Sequence, residues 1–315
     1  MRLLDAEARG RAGVRDVLAD VAPDAPVVLG VSGGADSLAL AVCAAFVADR
    51  DDRRARVVVV DHGLQDGSDA VAARAVEQVR SLGLPGGAVR VQVGTVGGPE
   101  AAARAARRAA LLEAAGGDGV VLLAHTLDDQ AETVLLGLGR GSGPRSLAGM
   151  AARDGRWRRP FLGLRRSDTE AVCRAHDLVW WTDPHNADPA YRRARLRHEV
   201  LPLLDDVLGS GVPEALARTA DQLRHDTTLL DELAGQVEDA ADVATLVALP
   251  PALRSRVLRR LALEAGAVPG ELGSVHLAAL DRLVTDWHGQ DRVELPGHVA
   301  LTRTAGRLHR IGGGP

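Results

Sequence analysis

Four short apolar runs in the first 125 residues constrain this chain most: 27–31 (VVLGV), 56–60 (RVVVV), 89–94 (VRVQVG) and 119–124 (GVVLLA). Stretches of helix-forming composition at 37–50, 68–82 and 100–115 separate them. Runs so short and so poor in polar residues suit strands buried on both faces. Strands joined through helices must be parallel, with right-handed crossovers. The pattern predicts an α/β fold, a doubly wound parallel sheet. Ligands of such sheets bind beyond the carboxyl ends of the strands. The residues there are SGGADS (32–37), DHGL (61–64) and AHTLDDQAET (124–133), so three polar clusters are expected to converge.

From about Met150 to Pro202 the chain turns rich in Arg, Trp and Pro, and 205–287 reads as several amphipathic helices. The tail alternates like a strand on either side of a turn at Ala305 and Gly306, as a closing hairpin would. A length of 315 residues fits two domains, expected here as 1–203 for the α/β unit and 204–315 for a smaller C-terminal helical unit ending in the β-hairpin. The longest apolar run, Leu38 to Ala48, falls short of the roughly 18 residues of a membrane span. A cytoplasmic protein with no membrane partner is expected. The two cysteines, Cys43 and Cys173, are far apart and in no CxxC spacing, and read as small core residues.

Composition excludes several functions. No lysine occurs, so all 38 basic residues are arginine, and a phosphate-binding loop that depends on lysine is impossible. With 42 acidic residues the net charge is −4, so a nucleic-acid partner would need a local basic patch. Aromatics make up 2%, too few for a module that stacks single-stranded bases.

The strongest motif is Ser32-Gly33-Gly34-Ala35-Asp36-Ser37, which ends a buried strand and opens a helix. Its glycines admit an oxyanion close to the backbone, N–H groups of the first helical turn attract phosphate, and Ser32 and Ser37 add hydroxyls. Asp36 beside a phosphate cradle implies a cation, Mg²⁺, between carboxylate and triphosphate. Gly30-Val31-Ser32-Gly33-Gly34 also satisfies the G-x-S-x-G elbow of α/β hydrolases. The 26 residues before this strand are too few for the strands and oxyanion loop which that fold places first. In the second cluster Asp129 and Glu132 share a helical face, with His125 on the loop before them. A third, on the helix at 100–115, places Glu100 and Arg104 at i,i+4, followed by Arg107 and Arg108. Asp61-His62 and the basic loop Arg140-Gly141-Ser142-Gly143-Pro144-Arg145 are weaker signals.

Together these residues resemble the N-type ATP pyrophosphatases, or PP-loop proteins, of adenine nucleotide alpha-hydrolase-like fold. Within them they resemble the tRNA(Ile)-lysidine synthase family. The likeness runs through HTLDDQAETVLLGLGRGSG, the Arg-rich helix, Arg159-Pro160-Phe161-Leu162 and the stretch Asp183 to Arg197, and covers about 25–205 well. It departs at Arg108, His185 and Ala194. The resemblance makes 1–203 the ATP pyrophosphatase catalytic domain and 204–315 a tRNA-binding domain. It implies ATP and Mg²⁺ as cofactors, and as partners free L-lysine and the AUA-reading tRNA(Ile) with a CAU anticodon; a homodimer is compatible with it. O2 of the wobble cytidine would be adenylated, and lysine's amine would then attack C2. Ser32, Gly33, Gly34, Ala35, Asp36 and Ser37 would bind ATP and Asp36 and Asp129 the metal. Arg104 would contact phosphate or the adenylated base, with Glu132 and His125 in support. The arginines of 140–166 and 192–197 would form the tRNA-facing strip. The alternative is another PP-loop ATP pyrophosphatase acting on a different tRNA base or a small molecule.

Overall fold

The structure, a computed structural model, describes residues 2–63, 67–94, 98–141, 143–183 and 188–311. The Glu100 side chain, Leu64, Ser142 and His185, each singled out above, lie outside the described residues. The chain divides into two compact units. One holds the described residues up to Leu135 and from Met150 to Ala217, the other Leu136–Gly149 and the residues from Arg218 onward.

The first unit opens with a helix that the strand pattern did not signal, α1 (Arg2–Val17). There follow β1 (Val27–Val31), α2 (Ala35–Arg50), β2 (Ala55–Asp61), α3 (Ser68–Ser81), β3 (Gly86–Arg90), α4 (Pro99–Ala115), β4 (Val120–Leu122) and the start of α5 (Leu127–Arg140). After Met150 come the two-residue strands β5 (Arg153–Asp154) and β6 (Trp157–Arg158), and then helix α7 (Arg166–Ala175); α6 (Pro144–Leu147) belongs to the second unit. The strands form one sheet in the order β3-β2-β1-β4-β6-β5, parallel except for the edge strand β5. Strand order reverses direction beside β1, which makes the end of β1 the switch point.

The period of two explains why each run is wholly apolar. Val27, Leu29 and Val31 of β1, Val57 and Val59 of β2, and Val120 and Leu122 of β4 join one core with residues of α1, α2, α3 and α7. Val28, Val58 and Val121 face the opposite core with Leu111, Ala115 and Trp157. Cys43 and Cys173 are buried and free of disulfide, as expected of small core residues. One strand differs from the sequence reading. β3 spans Gly86–Arg90 rather than 89–94, at the sheet edge and largely exposed. Gly86 fits there because it lies against β2, where a Cβ would stand 3.1 Å from Val57 Cβ.

The second unit contains α11 (Val243–Ala248), α12 (Pro251–Glu264), α13 (Ser274–Thr285) and an antiparallel sheet of β7 (Val293–Leu295), β8 (Val299–Thr304) and β9 (Arg307–Ile311) around its own core. Ala305 and Gly306 both have positive φ, 51° and 76°, as a two-residue hairpin turn requires. The tail thus forms the expected hairpin, with β7 added to it. In chain order, α7 and α11 are separated by α8 (Arg192–Arg195), a π-helical turn (Leu196–Val200), α9 (Leu201–Leu208) and α10 (Val212–Gly235). No helix among the described residues is long and apolar enough to cross a membrane.

Candidate active site

A cleft of about 740 Å³ opens at the carboxyl ends of β1, β2 and β4, within the first unit. Its floor is the SGGADS loop. Gly33 has φ +84°, a conformation that side chains disfavour, and the loop is closed by short-range bonds. The Ser32 amide donates to Ser37 Oγ (3.1 Å), Ser37 Oγ donates to the Gly34 carbonyl (2.9 Å), and Ser32 Oγ lies 3.3 Å from Ser37 Oγ. Ser32 thus pairs with another serine of its own loop. From elsewhere in the chain, the Trp181 amide donates to the Gly33 carbonyl (2.9 Å). The amides that open α2 have no partner within the helix and suit a polyphosphate.

Ser32, Gly34, Ala35, Asp36, Ser37 and His125 line this cleft, together with Asp61, His62, Arg107, Arg166, Glu170, Trp180, Trp181, Asp183 and Arg197. Asp36 accepts a hydrogen bond from the Thr169 hydroxyl and stands 3.6 Å from Arg166 Nε. Burial outweighs both and pushes its carboxyl up to about 6. Gly33, Arg104, Asp129 and Glu132 do not line the cleft. Arg104 sits exposed on α4, and Arg107, almost one turn further on, takes the cleft position. Desolvation by the cleft wall, with Arg104 and Arg108 close by, lowers the pKa of Arg107, whose side chain still reaches solvent. Arg108, a departure from the family pattern, stacks 4.0 Å over the Trp157 ring.

Asp129 serves first as a helix cap. Its Oδ2 accepts from the Thr126 amide (2.8 Å) and hydroxyl (3.1 Å), and the Asp129 amide donates back to Thr126 Oγ1 (3.4 Å). This is a capping box in which Asp replaces the usual Glu. Oδ1 accepts from Arg166 Nη2 (3.0 Å). Both oxygens are therefore engaged, Oδ1 by the Arg166 guanidinium. Asp128 accepts from the Arg166 amide (2.8 Å) and Arg165 Nε (3.1 Å), which joins the N-termini of α5 and α7. Glu132 is fully buried; it accepts from Arg197 Nε (2.9 Å), with Arg193 at 3.6 Å and Arg166 at 4.0 Å. Burial raises its pKa. Asp129 and Glu132 thus reach the cleft only through Arg166 and Arg197. A metal fits Asp36, which faces the phosphate loop, better than it fits Asp129.

His125 is held neutral. Burial lowers its pKa from 6.5 to about 4, against an opposing pull from Asp129, and its buried Nδ1 has no hydrogen-bond partner. An unfolded chain would protonate this ring below about pH 6.5 while the folded one resists until about pH 4, so the ring's contribution to stability rises with pH across that window. His125→Asn should remove this slope, seen as a smaller gain in melting temperature between about pH 5 and pH 7 than in the parent. An unchanged slope would show that the ring is not desolvated.

The expected tRNA-facing strip is absorbed into the fold in part, while Arg140, Arg145, Arg153, Arg192 and Arg195 stay exposed. Arg158 and Arg159 are buried, donating to the carbonyls of Val17 (2.9 Å) and Ala151 (2.7 Å). Arg156 donates to the Gly119 carbonyl (2.7 Å), Arg153 lies 3.2 Å from Asp16, and Arg165 and Arg166 hold the carboxylates above. Arg195 pairs with Glu199 (2.8 Å) and Arg193 and Arg197 with Glu132. Arg156, Arg158 and Arg159 bond to carbonyls, a choice that charge counting cannot reveal. Arg166, Thr169 and Glu170 of α7 were not expected at the cleft. The available signal was Asp168, which accepts from the Arg165 amide (3.0 Å) and fixes where α7 begins.

A parallel sheet whose first strand ends in SGGADS beneath such a cleft defines an ATP-binding PP-loop unit. The PP-loop domain model matches residues 11–204, and the TilS substrate binding domain model matches 242–309. The chain is 56% identical to the tRNA(Ile)-lysidine synthase of Streptomyces coelicolor over 300 residues, covering 91% of this chain and 85% of that one. It is 52% identical to that of Thermobifida fusca, covering 95% of both. Among solved structures it is similar to the U34-tRNA thiolase NcsA from Methanococcus maripaludis, with a TM-score of 0.56, 18% identity and coverage of 69% of this chain and 80% of that one, a likeness of fold. The chain belongs to the tRNA(Ile)-lysidine synthase family.

Proposed function

We propose that this enzyme, an ATP-dependent ligase, joins lysine to C2 of the wobble cytidine of the AUA-reading tRNA(Ile) in the cytoplasm, through an adenylated tRNA intermediate. The observation that carries the reading is the phosphate loop at the sheet's switch point, facing a cleft with both acidic and guanidinium walls in a chain of this family. The amides opening α2 and the hydroxyls of Ser32 and Ser37 orient the triphosphate so that pyrophosphate leaves from the α-phosphate. Mg²⁺, held by Asp36, would supply charge neutralisation to the departing polyanion. Arg107 and Arg166 stabilise phosphoryl charge from the opposite wall. Cytidine O2 attacks the α-phosphate, and the lysine amine then displaces AMP from C2. The carboxylates Asp36, Asp61, Glu170 and Asp183 give the cleft an affinity for a cationic amine. Lysine's ammonium, pKa about 10.4, must lose a proton before attack, and a carboxylate lining the cleft accepts it. Asp129 and Glu132 act through the arginines they hold.

The deciding assay combines purified protein, Mg-ATP and labelled lysine, with and without tRNA(Ile). Label should enter RNA, with AMP and pyrophosphate formed, only when tRNA(Ile) is present. ATP turnover without tRNA would favour a small-molecule substrate, and no ATP consumption at all would leave only an RNA-binding module.

A further inference from the structure

We infer that Trp181 is the platform on which the ring of the target cytidine stacks while its O2 meets the α-phosphate. This deepens the proposed function and rests on it. Trp181 lines the cleft, half-buried, at the end of a braced segment. The Gln78 side-chain amide grips Val179 twice, donating to its carbonyl (3.0 Å) and accepting from its amide (2.7 Å). Two residues on, the Trp181 amide donates to the Gly33 carbonyl (2.9 Å), and a Cβ on Gly34 would stand 3.8 Å from the Trp181 carbonyl oxygen. The backbone that carries this indole is thus fastened to α3 and to the phosphate loop itself.

The other tryptophans are engaged within the fold. Trp157 is buried under Arg108, Trp180 packs against the core that contains α1 and α2 with Arg174 5.9 Å from its ring, and Trp287 has Arg303 at 4.9 Å and donates its Nε1 to the Gln290 carbonyl (3.4 Å). Among the described residues, no cation covers the Trp181 ring and no acceptor meets its N–H. A wide, rigid aromatic left open in a cleft offers an apolar face to a planar ligand, and base–aromatic stacking accepts any base. A single ring suits one base and not a run of them, in keeping with an aromatic content of 2%. Two bases enter the proposed reaction, and the place of Trp181 beside the loop favours cytosine. The attacking O2 is a substituent of that ring, so the ring must lie against the triphosphate that the loop cradles. Adenine stands a whole ribose away from the same phosphorus.

The test compares the full chain with Trp181→Leu and Trp181→Phe, variants that keep the backbone bond to Gly33. In Trp181→Leu the KM for tRNA(Ile) should rise roughly tenfold or more, with the KM for ATP unchanged, and Trp181→Phe should recover most of the loss. Affinity is also measured for a tRNA(Ile) transcript whose wobble nucleotide lacks its base. The parent should bind this transcript roughly tenfold more weakly than the intact one, and Trp181→Leu should bind both alike, because only the parent has a stack to lose. A purely structural role would weaken binding of both transcripts by the same factor and overturn the inference. Indole emission gives an independent reading that does not depend on the leucine variant. The anticodon stem-loop of tRNA(Ile) should quench the parent and Trp287→Phe alike, and Trp181→Phe much less; equal quenching in all three would overturn the inference. A rise in the KM for ATP in Trp181→Leu, with quenching by Mg-ATP alone, would place adenine on the ring and also overturn it. If the parent makes lysidine and these comparisons fail, only this inference falls. If the parent makes none, the proposed function falls first.

Discussion

Asp36→Asn should cost at least about a hundred- to a thousandfold in ATP-dependent lysine incorporation, the scale on which a missing electrostatic partner of a transition state is felt, while tRNA binding persists. The same substitution should stabilise the protein. Burial raises the Asp36 carboxyl from 3.8 to about 6, so between those values the folded chain holds a proton that the unfolded chain has released. Stability from this group is therefore present at low pH and lost as pH rises through about 6. Two pKa units at about 1.4 kcal/mol each put the cost of the buried charge near 3 kcal/mol at neutral pH. Without nucleotide or metal, Asp36→Asn should melt above the parent at about pH 7, and the gap should close towards about pH 4. Full turnover in the variant would remove Asp36 from the chemistry. A lower melting temperature would show the charge to be well compensated by Thr169 and Arg166.

The second large effect is expected at Glu132. Its carboxylate is fully buried, and Arg166, Arg193 and Arg197 surround it within 4.0 Å. Removing one partner of a buried ionic cluster strands the others, at a cost of about 3–5 kcal/mol. At about 2–4 °C per kcal/mol for a unit of this size, Glu132→Ala should melt roughly 10 °C below the parent. Glu132→Gln preserves shape and can still accept from Arg197. It should recover much of the stability and keep kcat within about tenfold, since Arg197 stands between Glu132 and the cleft. A loss in Glu132→Gln as deep as in Asp36→Asn, with an altered pH profile of kcat, would instead make Glu132 the group that receives lysine's proton.

The sheet was legible because strands covered on both faces must be apolar at every position; Val27–Val31 and Val57–Val59 satisfy two cores at once. The edge strand was misplaced because that logic fails where one side lacks a neighbour. The strand opens at Gly86, which lies close against Val57, and Val91, the next apolar residue, donates its amide to the Asp61 carbonyl beyond the ladder. The phosphate loop could be read because glycines, hydroxyls and a carboxylate at a strand end have few other uses. The wall opposite could not. Arg166 and Thr169 come from a helix about 130 residues further along the chain, and nothing local marks them as neighbours of Asp36. The capping role of Asp129 was hidden for a related reason, since a capping carboxylate and a metal-binding one look alike in a sequence. The Thr126 to Asp129 spacing was the available clue.

The bond from the Trp181 amide to the Gly33 carbonyl bears on synthesis as well as on catalysis. The glycine turn is translated early, yet the groups that brace it, Arg166, Thr169 and Trp181, leave the ribosome only after the whole sheet has been made. A nascent chain lacking them would carry the nucleotide motif without its supports. The loop's geometry is thereby completed only when residues beyond the sheet have been added.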